Sequence, residues 1–206
     1  MSSESRSKLV PLIVVFVVLA VSMAVMRACR RPPTLPPEAV QLADTLTTTA
    51  TQEAIALAGA GGDVVLVGID LPPEMIGPFS ARYMASFKGE AARQGLTIKA
   101  EELVPPSPNM ESTGEVFPKD ALFGVLSKHA GAKLMVFFIP LPPLTPADAA
   151  RIPEKRPKIM LVTNWQALHL RSLPKGLVQV AIVPRTGEVP SGVGEMDFAA
   201  QFQVIK

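Results

Sequence analysis

The sequence predicts an α/β domain: a three-layer sandwich with a mostly parallel, Rossmann-like sheet, preceded by one N-terminal transmembrane helix. Three observations lead there. Apolar runs such as DVVLVGI, KLMVFFI and LVQVAIV are apolar at nearly every position, as strands covered on both faces are. These runs alternate with helix-patterned segments, the rhythm of right-handed βαβ units. Near the N-terminus, 18 uncharged residues at 9–26, LVPLIVVFVVLAVSMAVM, match the thickness of a bilayer core.

The membrane segment comes first. Arg6 and Lys8 precede it, and Arg27, Arg30 and Arg31 follow. Those five account for a quarter of the 20 Lys+Arg, and Glu4 for one of the 18 acids. Beyond residue 31 the chain therefore carries 15 basic against 17 acidic side chains, about −2, so its basic character belongs to the membrane flanks. A nucleic-acid surface needs a basic stripe on the folded domain, and none is visible. An uncleaved signal-anchor is the favoured reading. The alternatives are signal-peptidase cleavage after Ala24 and lipidation of Cys29, although Arg27 stands where a lipobox wants a small apolar residue. Basic side chains on the two flanks nearly balance. The short N-terminal tail places the domain outside the cytoplasm, on an inner-membrane, single-pass chain. Cys29 is the only cysteine, so no intrachain disulfide forms.

The division that follows is an anchor at 1–31, a Pro-rich stalk and linker helix at 32–61, and an α/β domain at 62–206. In RRPPTLPP the prolines favour an extended polyproline spacer over a PxxP ligand. Residues 38–58 suit a helix, weakened at Thr47-Thr48-Thr49, and GAGG at 59–62 ends it. Strands are then expected at 64–69, 96–103, 134–139, 159–163, 177–183 and 198–205, with helices at 76–94, 119–130, 146–150 and 166–173. LTIKAEEL alternates more than the others and belongs nearer an edge.

Two strands end alike: VVLVGIDLPP and LMVFFIPLPP both run into a stiff Leu-Pro-Pro elbow. Proline cannot donate to a ladder and presets φ for a turn. The elbows therefore terminate strands and stiffen the carboxyl rim, where ligands of open parallel sheets lie.

The stretch VVLVGIDLPPEMIGPFSARYMASFKGEAARQGLTIKAEEL resembles the opening βαβ unit of type I periplasmic binding proteins, the sugar-binding and LacI-like group. The matching residues are Asp70, Pro78, Phe79, Gly89 to Arg93, and Gly95. LFGVLSKHAGAKLMVFFIP continues in register, so the resemblance covers about residues 64–140. It implies a fold and, at Asp70, a polar ligand contact. Those proteins close two lobes on a ligand, and this chain has length for one.

Catalytic patterns are missing from the sequence. GAGGDVV places its glycines before a strand, whereas a dinucleotide loop needs them after it. One cysteine and two distant histidines make no zinc pattern. No Gly-x-Ser-x-Gly elbow follows a strand. Glu101 and Glu102 are adjacent on a strand and point to opposite faces, so they make no carboxylate pair. His129 sits at a helix end and His169 within a helix, both read as structural. No cofactor or metal is expected. The rim residues Asp70, Asn164, Trp165 and Arg185 are the one remaining constellation, suited to a small polar ligand. The alternative is that Asp70 and Asn164 cap turns, Trp165 packs under a loop and Arg185 is solvated.

Two functions compete. One is a membrane-anchored, non-catalytic interaction or accessory protein, with a protein partner or self-association besides the lipid bilayer. The other is a sensor or binding module for a small polar ligand at the carboxyl rim. An enzyme comes third.

Overall fold

The apolar runs become a six-stranded sheet in the computed structural model, which describes residues 35–72, 78–108, 110, 116–163, 167–185 and 201–206. The anchor at 9–26 and most of the stalk lie outside the described residues. Among the described residues, no helix is long and apolar enough to cross a membrane. In chain order the elements are α1 (Pro37–Ala58), β1 (Asp63–Ile69), α2 (Pro78–Arg93), β2 (Thr97–Val104), α3 (Lys119–Lys128), β3 (Leu134–Phe137), α4 (Pro146–Ala150), β4 (Lys158–Val162) and β5 (Val180–Pro184), ending in β6 (Phe202–Ile205). A 3₁₀ helix, Ala167–Ser172, stands between β4 and β5.

Strand order is β2-β1-β3-β4-β5-β6, parallel throughout except β6, which runs antiparallel to β5. The continuously apolar runs are the interior strands. The interiors of β1, all of β3 and most of β4 and β5 are buried. The alternating LTIKAEEL forms the edge strand β2, exposed at every second residue up to Leu103. Its acids do face opposite ways: Glu101 pairs with Lys88 of α2, and Glu102 with Lys128 and His129 at the end of α3.

Each interior strand buries both faces because each face has its own helices. Val64, Leu66, Leu134, Val136, Met160 and Ile182 face α1 and α2. Val65, Val67, Met135, Phe137, Ile159 and Leu161 face α3 and the 3₁₀ helix. Right-handed crossovers explain the allocation. The β1-to-β2 crossover puts α2 on one face, and the chain then turns back past β1. Every later crossover lies on the other face. The first face would thus lie bare over β3, β4 and β5. The N-terminal helix α1 covers it.

That role overrides helix propensity. The sequence marks residues 38–58 as a linker helix with a weak threonine centre; the structure has an unbroken 22-residue helix packed in the core. Thr47 and Thr51 are buried. Thr45, Thr47 and Thr48 donate their hydroxyls to the carbonyls one turn back, at Gln41, Ala43 and Asp44. The Lys158 ammonium donates to the Leu57 carbonyl at 2.8 Å, fixing the end of α1 against the start of β4. Close approach continues into the turn. A Cβ on Gly62 would stand 2.6 Å from the Ala58 carbonyl oxygen, and Gly59 has φ +78°. GAGG is therefore a helix-to-strand turn, as its position before β1 implies.

Candidate functional site

The two Leu-Pro-Pro elbows lie side by side. Val64 pairs with Leu134 and Val67 with Phe137, so the repeated motif is in register across β1 and β3. Leu71-Pro72-Pro73 begins four residues after Val67, as Leu141-Pro142-Pro143 begins four after its partner Phe137. Their connections then part. Past β1 the chain leads to α2 on one face, and past β3 to α4 on the other. Adjacent strands whose connections leave on opposite faces define the topological switch point of a doubly wound sheet, the crevice where such folds place ligands.

The second elbow is filled and fastened. Phe138 sends its ring to the α2 face, edge-on to Tyr83 at 5.3 Å and Phe87 at 5.5 Å. Ile139 and Leu141 are buried on the opposite face. Thr145 and Asp148 form a capping box on α4. Two ion pairs, Lys119–Asp148 at 3.1 Å and Arg151–Asp120 at 2.8 Å, tie α4 to α3. Arg151 also lies over the Phe123 ring at 4.3 Å. The backbone N–H and hydroxyl of Thr145, with Lys119, hold the Asp148 carboxyl down at about 2.

The first elbow carries Asp70. Its N–H donates to the Val104 carbonyl at 2.8 Å, and Leu71 N–H donates back to Ile69 at 3.0 Å in a γ-turn. The backbone is thereby fixed at the end of β1 while the side chain stays exposed. Asp63, Glu101 and Glu102 on β1 and β2 are each ion-paired; among the described residues, Asp70 has no ion pair. The remainder of this elbow, 73–77, lies outside them.

The other rim candidates fare differently. Asn164 and Trp165 fall outside the described residues. Arg185 does follow β5, and its backbone N–H donates to Gln201 at 2.8 Å. Its guanidinium Nε donates to the Phe202 carbonyl at 3.3 Å, so the side chain is turned toward β6. Two strands, β3 and β4, separate β1 from β5. Three steps of about 4.8 Å put Asp70 and Arg185 roughly 14 Å apart along the rim. In this arrangement they do not face one small ligand together.

Sequence reasoning missed Tyr83. Its ring is buried on α2, and its hydroxyl donates to the Val162 carbonyl at 2.8 Å, closing the carboxyl end of β4 from the α2 face. Burial pushes this phenol well above its ordinary value. Tyr83 lies five residues after Pro78 in a helix-patterned run, so nothing local distinguished it from a core aromatic.

Fold and rim together define a doubly wound α/β lobe whose switch point carries Asp70, a carboxylate with no ion pair among the described residues. The solved structures similar to it include an arabinose-binding protein from Geobacillus stearothermophilus, 12% identical with a TM-score of 0.48, covering 68% of this chain and 45% of that one. A glucose-galactose binding protein from the same organism is 16% identical with a TM-score of 0.44, covering 68% of this chain and 47% of that one. A putative LacI transcriptional regulator from Bacteroides fragilis is 13% identical with a TM-score of 0.47, covering 69% and 47%. These belong to the same group that residues 64–140 resemble in sequence. The chain spans less than half the length of each. No family profile matches the sequence, and no curated protein matches it.

Proposed function

We propose that this chain is a single-lobe binding module for a small polar ligand, held at the crevice between the β1 and β3 elbows. One observation carries the reading: Asp70, fixed by its backbone and without an ion pair among the described residues, stands at the switch point. A carboxylate there accepts hydrogen bonds from hydroxyl or amino groups of a ligand. Proline after a strand cannot extend the ladder and presets φ, so the elbows stiffen this rim. One lobe leaves the ligand half in water, so binding is weak in isolation and tightens when a partner or second copy covers the rim. Thermal-shift screening of the full-length chain tests this, with arabinose, ribose, glucose and galactose first, then amino acids and nucleotides. A saturable rise in Tm with one class supports the reading; flat responses to all three overturn it.

The apolar segment at 9–26 and its basic stop favour a second, compatible part of the proposal: a single-pass inner-membrane anchor presenting the domain outside the cytoplasm. Alkaline phosphatase and fluorescent-protein fusions at Lys206 report the side. Phosphatase silence with bright fluorescence would reverse the topology. If no ligand is found, a non-catalytic accessory role for the tethered lobe is the reading left standing.

A further inference from the structure

At the amino ends of β5 and the far end of β6, away from the rim, a cavity of about 370 Å³ opens beside the 3₁₀ helix. Its floor is apolar, formed by Leu173, Val178, Ala181 and Ile205. Ile205 is 38% exposed, one of two large hydrophobic residues so exposed among the described residues. Arg171 and Lys175 stand at the mouth, both exposed, and among the described residues no lining side chain is acidic. Lys206, also at the mouth, is already ion-paired with Glu53 at 2.8 Å. Arg171 and Lys175 have no ion pair among the described residues, so the mouth carries two cations that no described side chain neutralises.

One wall of this cavity is built rather than incidental. Leu177 N–H closes a turn onto the Pro174 carbonyl at 3.1 Å, with Gly176 at φ +73° in its third position, as a type II turn requires. Lys175 occupies the corner of that turn. The Gln179 amide donates to the Gly176 carbonyl at 2.7 Å, while its backbone N–H donates to Ile159 at 2.9 Å. The turn is thus fastened to the first residues of β4. The cavity exists without a ligand, and its volume falls within the range of small-molecule sites, roughly 300–1,000 Å³.

We propose that this cavity is a second binding site, for a small amphipathic carboxylate. The apolar body lies on Leu173, Val178, Ala181 and Ile205, and the carboxylate is met by Arg171 and Lys175. Charge complementarity selects an anion, and the apolar floor of Leu173, Val178, Ala181 and Ile205 selects an acyl or aryl chain over a sugar. Calorimetric titration of the full-length chain with phenylbutyrate tests it, with uncharged phenylbutanol as the control. Saturable binding at one equivalent is expected, weaker for the alcohol. Arg171→Gln combined with Lys175→Gln, both exposed, should weaken phenylbutyrate by about tenfold or more. Ile205→Glu, which sets an anion on the floor, should abolish binding while circular dichroism is unchanged. Absence of phenylbutyrate binding overturns the proposal. So does equal affinity for the alcohol, or indifference to both variants. Neither variant touches Asp70, so a sugar response at the rim would be left intact.

Discussion

The two Leu-Pro-Pro elbows share a sequence pattern and a register, and they do different things. The β3 elbow is closed: Phe138, Ile139 and Leu141 go into the two cores, and the helix after it is capped and ion-paired to α3. The β1 elbow is described as far as Pro72. Where β3 has Pro140, β1 has Asp70, exposed and without an ion pair among the described residues. Leu71 is half-buried where its counterpart Leu141 is 5% exposed. The lesson is that shared register does not fix an elbow's role: Phe138 and Leu141 go into packing, whereas Asp70 stays exposed.

Phe137 tests the register that aligns β1 with β3. Phe137 is fully buried opposite Val67, so Phe137→Ala should lower unfolding free energy by about 3–5 kcal/mol in urea denaturation. A loss under about 1 kcal/mol would mean that KLMVFFI does not fill the sheet centre. The elbows themselves come next. Leu141→Ala should cost about 2–5 kcal/mol, and Leu71→Ala about 1 kcal/mol. Equal costs would erase the contrast between the buried Leu141 and the half-buried Leu71. Tyr83→Phe, which removes the hydroxyl closing β4, should cost about 1–3 kcal/mol because the Val162 carbonyl loses a buried partner.

A smaller effect concerns acid. Asp148 titrates at about 2 when folded, through the Thr145 backbone N–H and hydroxyl and the Lys119 ammonium. Its unfolded value is about 3.9. The stabilisation from its ionised form is complete above that unfolded value and disappears as pH falls toward 2. Glu102, lowered by Lys128 and His129, acts in the same direction. Asp148→Asn should make the fall in Tm shallower between about pH 4 and pH 2, while leaving the response of Glu102. An unchanged slope would mean that the second elbow is not held by its cap.

Much of this was legible before the structure. Continuously apolar runs reveal interior strands because burial on two faces leaves no polar position, and LTIKAEEL revealed an edge because it alternates. The GAGG turn and the opposed faces of Glu101 and Glu102 follow from position alone. Long-range facts were not legible. Thr47 and Thr51 read as weak helix formers because nothing local says that α1 must cover a face the crossovers leave bare. β6 runs antiparallel, and β5 starts at Val180 rather than Leu177, where a turn from Pro174 ends. Asp70 and Arg185 look equivalent in sequence, each following a strand. Only strand order separates them by two intervening strands.

Asp70 is proposed to hold a ligand rather than a turn. The direct measurement is the ligand-induced Tm shift of the full-length chain against its Asp70→Ala variant, with the unliganded Tm of each recorded in the same run. An exposed side chain whose backbone bonds are unaffected should leave the free protein within about 0.5 kcal/mol of wild type, while the shift produced by the bound sugar, amino acid or nucleotide disappears. A free protein destabilised by about 1 kcal/mol, as loss of a capping carboxylate gives, together with an undiminished ligand shift, would contradict the account.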